Sequence, residues 1–329
     1  LVKRDGKITA YNTDIYGFRY MVYASGIQVG GKKVLVLGSG GASKAVVCAL
    51  EDLGAREIVI ISRTGANSYK NLDLHADADI IVNTTPVGMY PNNMERPLDI
   101  GLFPNLCGVL DIVYNPEITG LLLDAEERGI PHAGGLHMLV AQAKQAYELF
   151  TDKKLPEKVI NEIVTALRND MENIVLIGMP GCGKTTIARA LSTALGRDII
   201  DTDQEIERKT NMTIPEIFRK HGEPRFRELE HEAIVEYGKL SGKILSLGGG
   251  AILNPENYPH LHQNGKIYFI RRETELLATD GRPLSKSPET LKEMQKIRLP
   301  LYRQFADVEI SNDSALEDAV NQILSRRKK

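Results

Sequence analysis

The stretch "GMPGCGKT", residues 178–185, has the composition of a loop that handles phosphate. Gly178 and Gly183 bracket four residues, and Lys184 and Thr185 follow, completing the pattern G-x-x-x-x-G-K-[ST]. The backbone N–H groups of such a loop, and the helix start behind it, attract phosphate oxygens. Lys184 adds a point charge and the Thr185 hydroxyl can ligate Mg²⁺. Cys182 has no base near it in sequence and reads as a small filler of the loop, not a nucleophile.

Downstream residues could form an acceptor site. "IIDTDQEIE" puts Asp201 and Asp203 at the end of a predicted strand, on one face because strand side chains alternate. Two carboxylates there can hold a metal's water shell and an acceptor hydroxyl; Asp203 can equally cap a helix. "GEPRFRELEHEAI" supplies Arg225, Arg227, Glu228 and Glu230, which alone would read as a solvated helix face. "ILSLGGGAIL" closes an apolar strand with glycines 248–250, which let a backbone approach a ligand closely or form a flexible turn. Arg282 in "TDGRPLS", and Arg298 and Arg303 in "KIRLPLYRQFADV", complete the set.

The elements that must position these residues repeat one design. "KKVLVLGSGGASKAVVCALEDLG" is an apolar strand over Val34 to Leu37, a glycine turn and a helix to about Leu53; "ENIVLIGMPGCGKTTIARALSTALG" does the same over 172–196. Apolar strands alternating with amphipathic helices predict an α/β protein with parallel sheets covered on both faces. "LPEKVINEIVTALRND" predicts a helix started by Pro156, apolar at Val159, Ile160, Ile163, Val164 and Leu167, with "DMEN" as the joint behind it. Two domains follow, 1–169 and 170–329, each long enough for its own core. The opening "LVKRDGKITAYNTD" reads as two short strands around Arg4-Asp5-Gly6, and the missing initiator Met suggests that an upstream segment was removed.

The ordered set "GMPGCGKTT", "DTDQEIE", "FRELE", "LSLGGGA", "GRPLS" and "RLPLYRQFAD" resembles shikimate kinase over 173–327. The resemblance implies a P-loop kinase fold with a mobile lid, Mg-ATP as donor and the 3-hydroxyl of shikimate as acceptor. It implies that Gly178, Gly181, Cys182, Gly183, Lys184, Thr185 and Thr186 hold ATP, with Thr185 on the metal and Asp201 in its outer shell. Asp203 would orient the acceptor hydroxyl and take its proton. Arg227, steadied by Glu230, and Arg298 would hold the shikimate carboxylate, and Gly249 and Gly250 would contact the ring hydroxyls. Arg282 would reach the transferring phosphate from the lid. The family's adenine-stacking basic residue has no counterpart in "ELLATDG", which puts adenine affinity in doubt.

In the first half, Gly38-x-Gly40-Gly41 is weak evidence for a dinucleotide, and Arg63 after "EIVIIS" suits a 2′-phosphate or is a surface arginine. "YNTDIYGF", "GSGGASKAV", "SRT", "IIVNTTPVGM", "LDIVYNPEITGLL" and "AGGLHMLVAQA" together resemble the nucleotide half of shikimate dehydrogenase, over about 1–169. The resemblance implies a Rossmann-like domain in which Gly38, Gly40, Gly41, Ala42, Arg63, Thr64, Asn83 and Thr84 hold NADP(H). Asn12, Asp14, Tyr114 and Gln142 would touch shikimate, with Asp14 one half of a catalytic Lys–Asp pair. The family's catalytic lysine belongs to an N-terminal substrate domain absent here; Lys3, Lys7, Lys32 and Lys33 do not sit in its motif. Asn67 stands where a second basic residue often grips the 2′-phosphate, and the segment after Thr64 is short. The expectation is a domain that binds NADP weakly and barely oxidises shikimate. His132 and His137 read as structural.

Successive reactions on one metabolite make the two halves coherent as a bifunctional parent enzyme of aromatic amino-acid biosynthesis. The rival readings are a kinase for another polyol, such as gluconate, and a first half that is a non-catalytic regulatory or dimerising module. A net charge of −2 gives no reason to expect nucleic acid or a membrane surface as partner, leaving small molecules. Three cysteines without metal spacing fit a reducing cytoplasm. Oligomeric state is not readable.

Overall fold

The computed structural model describes residues 1–277 and 288–327. They form two compact units that divide between Leu167 and Arg168.

The first unit opens with an antiparallel hairpin, β1 (Val2–Arg4) and β2 (Lys7–Thr9), closed by Asp5 and Gly6 at positive φ. Helix α1 (Thr13–Ser25) follows, capped by the Asn12 side chain, which accepts from the Asp14 amide. The main sheet uses β3 (Lys33–Leu37), β4 (Glu57–Ile61), β5 (Ile80–Asn83), β6 (Gly108–Asp111) and β7 (His132–Ala133) in the order β4-β3-β5-β6-β7, all parallel. The unbroken apolar run of β3 has a plain cause, since both of its faces are buried. Leu35 and Leu37 pack toward α3 (Gly120–Glu127), while Val34 and Val36 pack toward α1 and α2 (Gly41–Asp52). Helix α4 (Leu136–Thr151) lies against α1, where a Cβ on Gly17 would stand 2.7 Å from the Met138 carbonyl. Helix α5 (Lys158–Met171) starts two residues after Pro156 and buries Ile160 and Val164 against α4. Ile163 is exposed instead, and the expected joint "DMEN" is no loop: the helix runs through Met171, and only Glu172 precedes the next strand.

The second unit strings together β8 (Asn173–Ile177), α6 (Lys184–Leu195), β9 (Ile199–Asp201), α7 (Thr202–Thr210), α8 (Ile214–Gly238), β10 (Ile244–Ser246), α9 (Asn257–His262), β11 (Gly265–Arg271), α10 (Pro288–Phe305), β12 (Val308–Ser311) and α11 (Leu316–Arg327). Its strands run parallel in the order β12-β11-β8-β10-β9. The chain leaves β8 for the edge strand β9 and returns to β10 beside β8, so the carboxyl ends of β8, β9 and β10 flank a switch in strand order. Ligands of open α/β sheets bind at such places. Helix α8 is broken at Gly222 (φ 80°), and Pro224 starts its second half, where a missing N–H costs nothing. That break aims the "FRELE" segment at the sheet's carboxyl edge.

Candidate active site

The phosphate loop follows β8 and turns through Gly178, Gly181 and Gly183, all at positive φ. Gly183 is also the N-cap of α6, and a Cβ there would stand 2.6 Å from Asn312 Nδ2, which donates to the Cys182 carbonyl. Lys184 folds over the loop: its Nζ donates to the carbonyls of Gly178 (2.8 Å) and Met179 (3.1 Å). A phosphate therefore meets a charge already held in place, for which it must compete with two carbonyls. Cys182 is fully buried, and its thiol lies 3.9 Å from that ammonium.

Beside the loop is a cavity of about 490 Å³, which Gly181, Gly183, Thr185 and Thr186 also line. Lys184, Asp201, Asp203, Arg227, Arg298 and glycines 248–250 converge on it. The two aspartates meet there for a reason other than strand alternation. Asp201 ends β9 and caps α7, accepting from the amides of Asp203 (3.2 Å) and Gln204 (3.4 Å). Asp203 sits in the first turn of that helix and caps nothing. Asp201 Oδ2 accepts from Thr185 Oγ1 and Ser246 Oγ, each at 3.3 Å, which joins it to the phosphate loop.

Asp203 is the unusual acid. Burial, then the negative charges of Glu230 and Asp201, push its carboxyl up to about 7, against the opposing pull of Lys184 and Arg227. Its inaccessible Oδ1 has no hydrogen-bond partner among the described residues. Glu230 is also buried and raised, through its burial; Arg227 Nη1 satisfies its Oε2 at 2.7 Å, and its Oε1 has no partner among the described residues. A Cβ on Gly248 would lie 2.6 Å from that Oε1 and 2.8 Å from Asp203 Oδ1.

The three glycines thus clear room for the protein's own groups. Gly249 abuts Pro180 and Gly250 abuts the Arg227 guanidinium. The Gly249 carbonyl is spent on Arg298 Nη1 (2.9 Å) and the Tyr302 hydroxyl (2.6 Å), so only its amide is left for a ligand. Arg225, Glu228 and Arg303 are held in ion pairs on the surface, as a solvated face would be. Arg282 lies outside the described residues.

In the first unit the predicted cofactor residues gather at the carboxyl ends of β3, β4 and β5. Gly38 (φ 106°) has Thr84 Oγ1 at 2.9 Å from where its Cβ would be. Gly40, Gly41 and Ala42 open α2, and nothing stands within 4 Å of a Cβ on Gly40 or Gly41, which leaves the helix N-terminus accessible. Arg63 and Thr64 are exposed beyond β4. Asn83 corrects its expectation. It is fully buried, its amide donates to Asp111 Oδ1 (3.0 Å), and its Oδ1 accepts from the amide and hydroxyl of Thr85. No side-chain atom of Asn83 is left for a cofactor. Thr84 Oγ1 likewise donates to the Leu37 carbonyl.

Of the residues expected at shikimate, Asn12 and Asp14 start α1, and Gln142 sits on the facing side of α4, its Cβ 3.1 Å from the Cβ position of Gly17. Tyr114 is exposed after β6. Asp14 has no ion pair among the described residues; Lys32 and Lys33 are paired with Asp79, Asp77 and Glu57 instead. His132 Nδ1 bonds the Ile130 carbonyl and His137 stacks on Tyr20, both structural contacts.

The family model "Shikimate kinase" matches residues 180–328. The shikimate kinase of Caldicellulosiruptor bescii is 42% identical over 151 residues, which is 44% of this chain and 87% of that one. The chain belongs to the shikimate kinase family. The solved structure of the shikimate kinase from Acinetobacter baumannii in complex with shikimate shares 37% identity, covering 49% of this chain and 96% of that one, with a TM-score of 0.46. The first unit is similar to shikimate dehydrogenases over part of their length. The model "Shikimate 5'-dehydrogenase C-terminal domain" matches residues 135–165. The shikimate dehydrogenase (NADP(+)) of C. bescii is 40% identical over 171 residues, which is 46% of this chain and 58% of that one, so the chain spans little more than half of that relative.

Within the kinase family member, sequence reasoning overlooked Tyr302, Asn312 and Arg272. Tyr302 is buried, stacked on Phe269 with ring centroids 4.9 Å apart, and holds the Gly249 carbonyl. Only its place in "RLPLYRQFAD" could have drawn notice. Asn312, at the end of β12, carried no signal, because its partner Cys182 lies 130 residues away. In the first unit Asp111 was missed: buried, pushed up to about 6 by desolvation, and bonded by Thr119, Val113 and Asn83.

Proposed function

We propose that the second unit transfers the γ-phosphate of ATP to the 3-hydroxyl of shikimate. The observation that carries this reading is Asp203, raised to about 7, with an unpartnered buried oxygen between the phosphate loop and two arginines. Its carboxylate accepts a hydrogen bond from the acceptor hydroxyl, orients that oxygen toward the γ-phosphorus, and takes the proton as the new O–P bond forms and the bond to the β–γ bridging oxygen breaks, releasing ADP. A base near 7 suits this task, because half of it is ionised at working pH. Arg227, held by Glu230 and Glu223, and Arg298, anchored on Gly249, offer planar donors for the acceptor's carboxylate. Thr185 would ligate Mg²⁺ and Asp201 would hold the waters around it; when bound, the ion neutralises charge on the transferring phosphate. The donor set fits that ion: one hydroxyl and one carboxylate suit a metal that keeps its waters and binds mainly through phosphate. Arg282 is assigned to the transferring phosphate on its place in "GRPLS".

The test is ADP release from Mg-ATP with shikimate, with gluconate and with no acceptor, in wild type and Asp203→Asn. Shikimate-dependent release that falls at least 10²-fold in the variant is expected, the usual contribution of a general base. Release with gluconate, or without acceptor, would overturn the assignment.

For residues 1–169 we infer NADP(H) binding at the open start of α2, with Arg63 on the 2′-phosphate. Asp14 without a lysine partner among the described residues favours a domain that binds the cofactor without turning it over. NADP⁺ should give a calorimetric binding isotherm while shikimate generates no NADPH; NADPH formation at ordinary enzyme rates would refute this. We assign the protein to the cytoplasm, where its free thiols, including exposed Cys107, stay reduced. No helix among the described residues is long and apolar enough to cross a membrane.

A further inference from the structure

Arg271 ends β11 and Arg272 follows it, and the two meet different fates. Arg271 is neutralised by Glu273, Glu309 and Asp313, at 3.0–3.3 Å. Arg272 points the other way, lines the cavity of the phosphate loop, and makes no hydrogen bond or ion pair among the described residues. Its Nε is buried and unsatisfied there, and its Nη1 lies 3.9 Å from where a Cβ on Gly183 would be. Gly183 caps α6, so this guanidinium stands beside the amides and positive helix end that make the loop attractive to anions. Lys184 already brings one positive charge to the same wall, and none of the carboxylates lining the cavity forms an ion pair with Arg272: Asp201 bonds Thr185 and Ser246, Glu207 bonds the Ile214 amide, Glu230 bonds Arg227, and Asp203 has no hydrogen-bond partner on its Oδ1 among the described residues. Burying a guanidinium N–H without a hydrogen-bond partner is costly, and here a second like charge shares the wall, with the Asp313 carboxylate as the charge that Arg272 feels. A bound polyanion relieves both costs at once.

We propose that Arg272 is a nucleotide-binding residue that contacts the phosphates of the donor from the β11 side of the loop, alongside Lys184. The proposal rests on the kinase reading of this cavity. The guanidinium supplies what an ammonium does not, a planar fork that can bridge two phosphate oxygens. Arg272 thereby compensates at the phosphates for the missing basic residue at the adenine. It is not placed at the acceptor: Asp203, Arg227 and Arg298 line the part of the cavity formed by β9, α8 and residues 248–250, whereas Arg272 adjoins Gly183.

Calorimetric binding of Mg-ADP and of Mg-pyrophosphate, without acceptor, to wild type, Arg272→Gln and Arg272→Lys tests this, circular dichroism confirming folding. Wild type should bind both, and the Gln variant should bind both roughly ten-fold or more weakly, the usual loss of a charged hydrogen bond. The Lys variant, which retains the charge and loses the fork, should fall between them, and it decides the matter should the Gln variant misfold. Equal affinities across the three proteins would overturn the role of Arg272. A loss for Mg-ADP with none for Mg-pyrophosphate would overturn the phosphate assignment. Wild type that binds neither would overturn the kinase reading itself.

Discussion

At the scale of single residues, the site turns on the coupling of Asp203 to Glu230. Both are buried acids whose unpartnered oxygens approach the same glycine, and each ionised form disfavours the other. In the proposed role Asp203 must be ionised to accept the proton, so kcat/KM for shikimate should climb as pH rises through about 7. Glu230→Gln removes a negative neighbour and leaves the Arg227 charge less balanced. Both changes lower the carboxyl of Asp203, so the acidic limb of the profile should move to lower pH. A limb that stays in place, or moves upward, would mean that Glu230 does not set the base. The profile separates this from mere structural damage, which lowers the whole curve without shifting it.

At the scale of elements, the first unit is tied together by a polar cluster between two strand ends and the loop into α3. Asp111 ends β6 and accepts from Asn83 at the end of β5, from the Val113 amide, and from Thr119 Oγ1 (2.7 Å), all buried. Thr119→Val keeps the shape and leaves Asp111 Oδ2 without its donor, so the unit should lose about 1–3 kcal/mol at neutral pH in chemical denaturation. The sign with pH follows from the direction of the shift. Asp111 is raised to about 6 when folded, so between its ordinary value and 6 the folded state binds more protons than the unfolded one. Stability therefore falls as pH rises through that window. Losing a donor to the ionised form raises the folded value further. The variant should thus lose more stability at pH 8 than at pH 5, and an equal loss at both would exclude an ionised Asp111.

At the scale of the whole molecule, two parallel sheets carry separate apolar clusters, one set around β3 and β5, the other around β8 and β11. Each is large enough to unfold on its own, so scanning calorimetry should resolve two transitions. Mg-ADP should raise one and NADP⁺ the other, each by about 2.7 kcal/mol at a hundred-fold excess over Kd. A single transition raised by either ligand would show that the units unfold together.

Much of this was legible in the chain. Continuous apolar strands, the glycine loop and the Lys184-Thr185 pair are local patterns, because strand burial on both faces and helix capping depend on neighbours in sequence. The motif set also picked out Asp203, Arg227 and Arg298, which the fold brings to one cavity. What the chain could not show depends on distant partners. Asn83 ends a strand and Thr84 follows it like any cofactor residues, yet the fold sets Asp111 and Leu37 beside them and takes up the Asn83 amide and the Thr84 hydroxyl proton. Glycines 248–250 look like an approach for a ligand, yet they give way to Glu230, Pro180 and Arg227. Arg271 and Arg272 are the same residue type in succession; only the packing of β11 against β8 and β12 turns one into an ion pair and the other toward the phosphate loop. Residue type is written in the sequence, but whether a polar group is satisfied is decided by what folding places within about 3 Å of it.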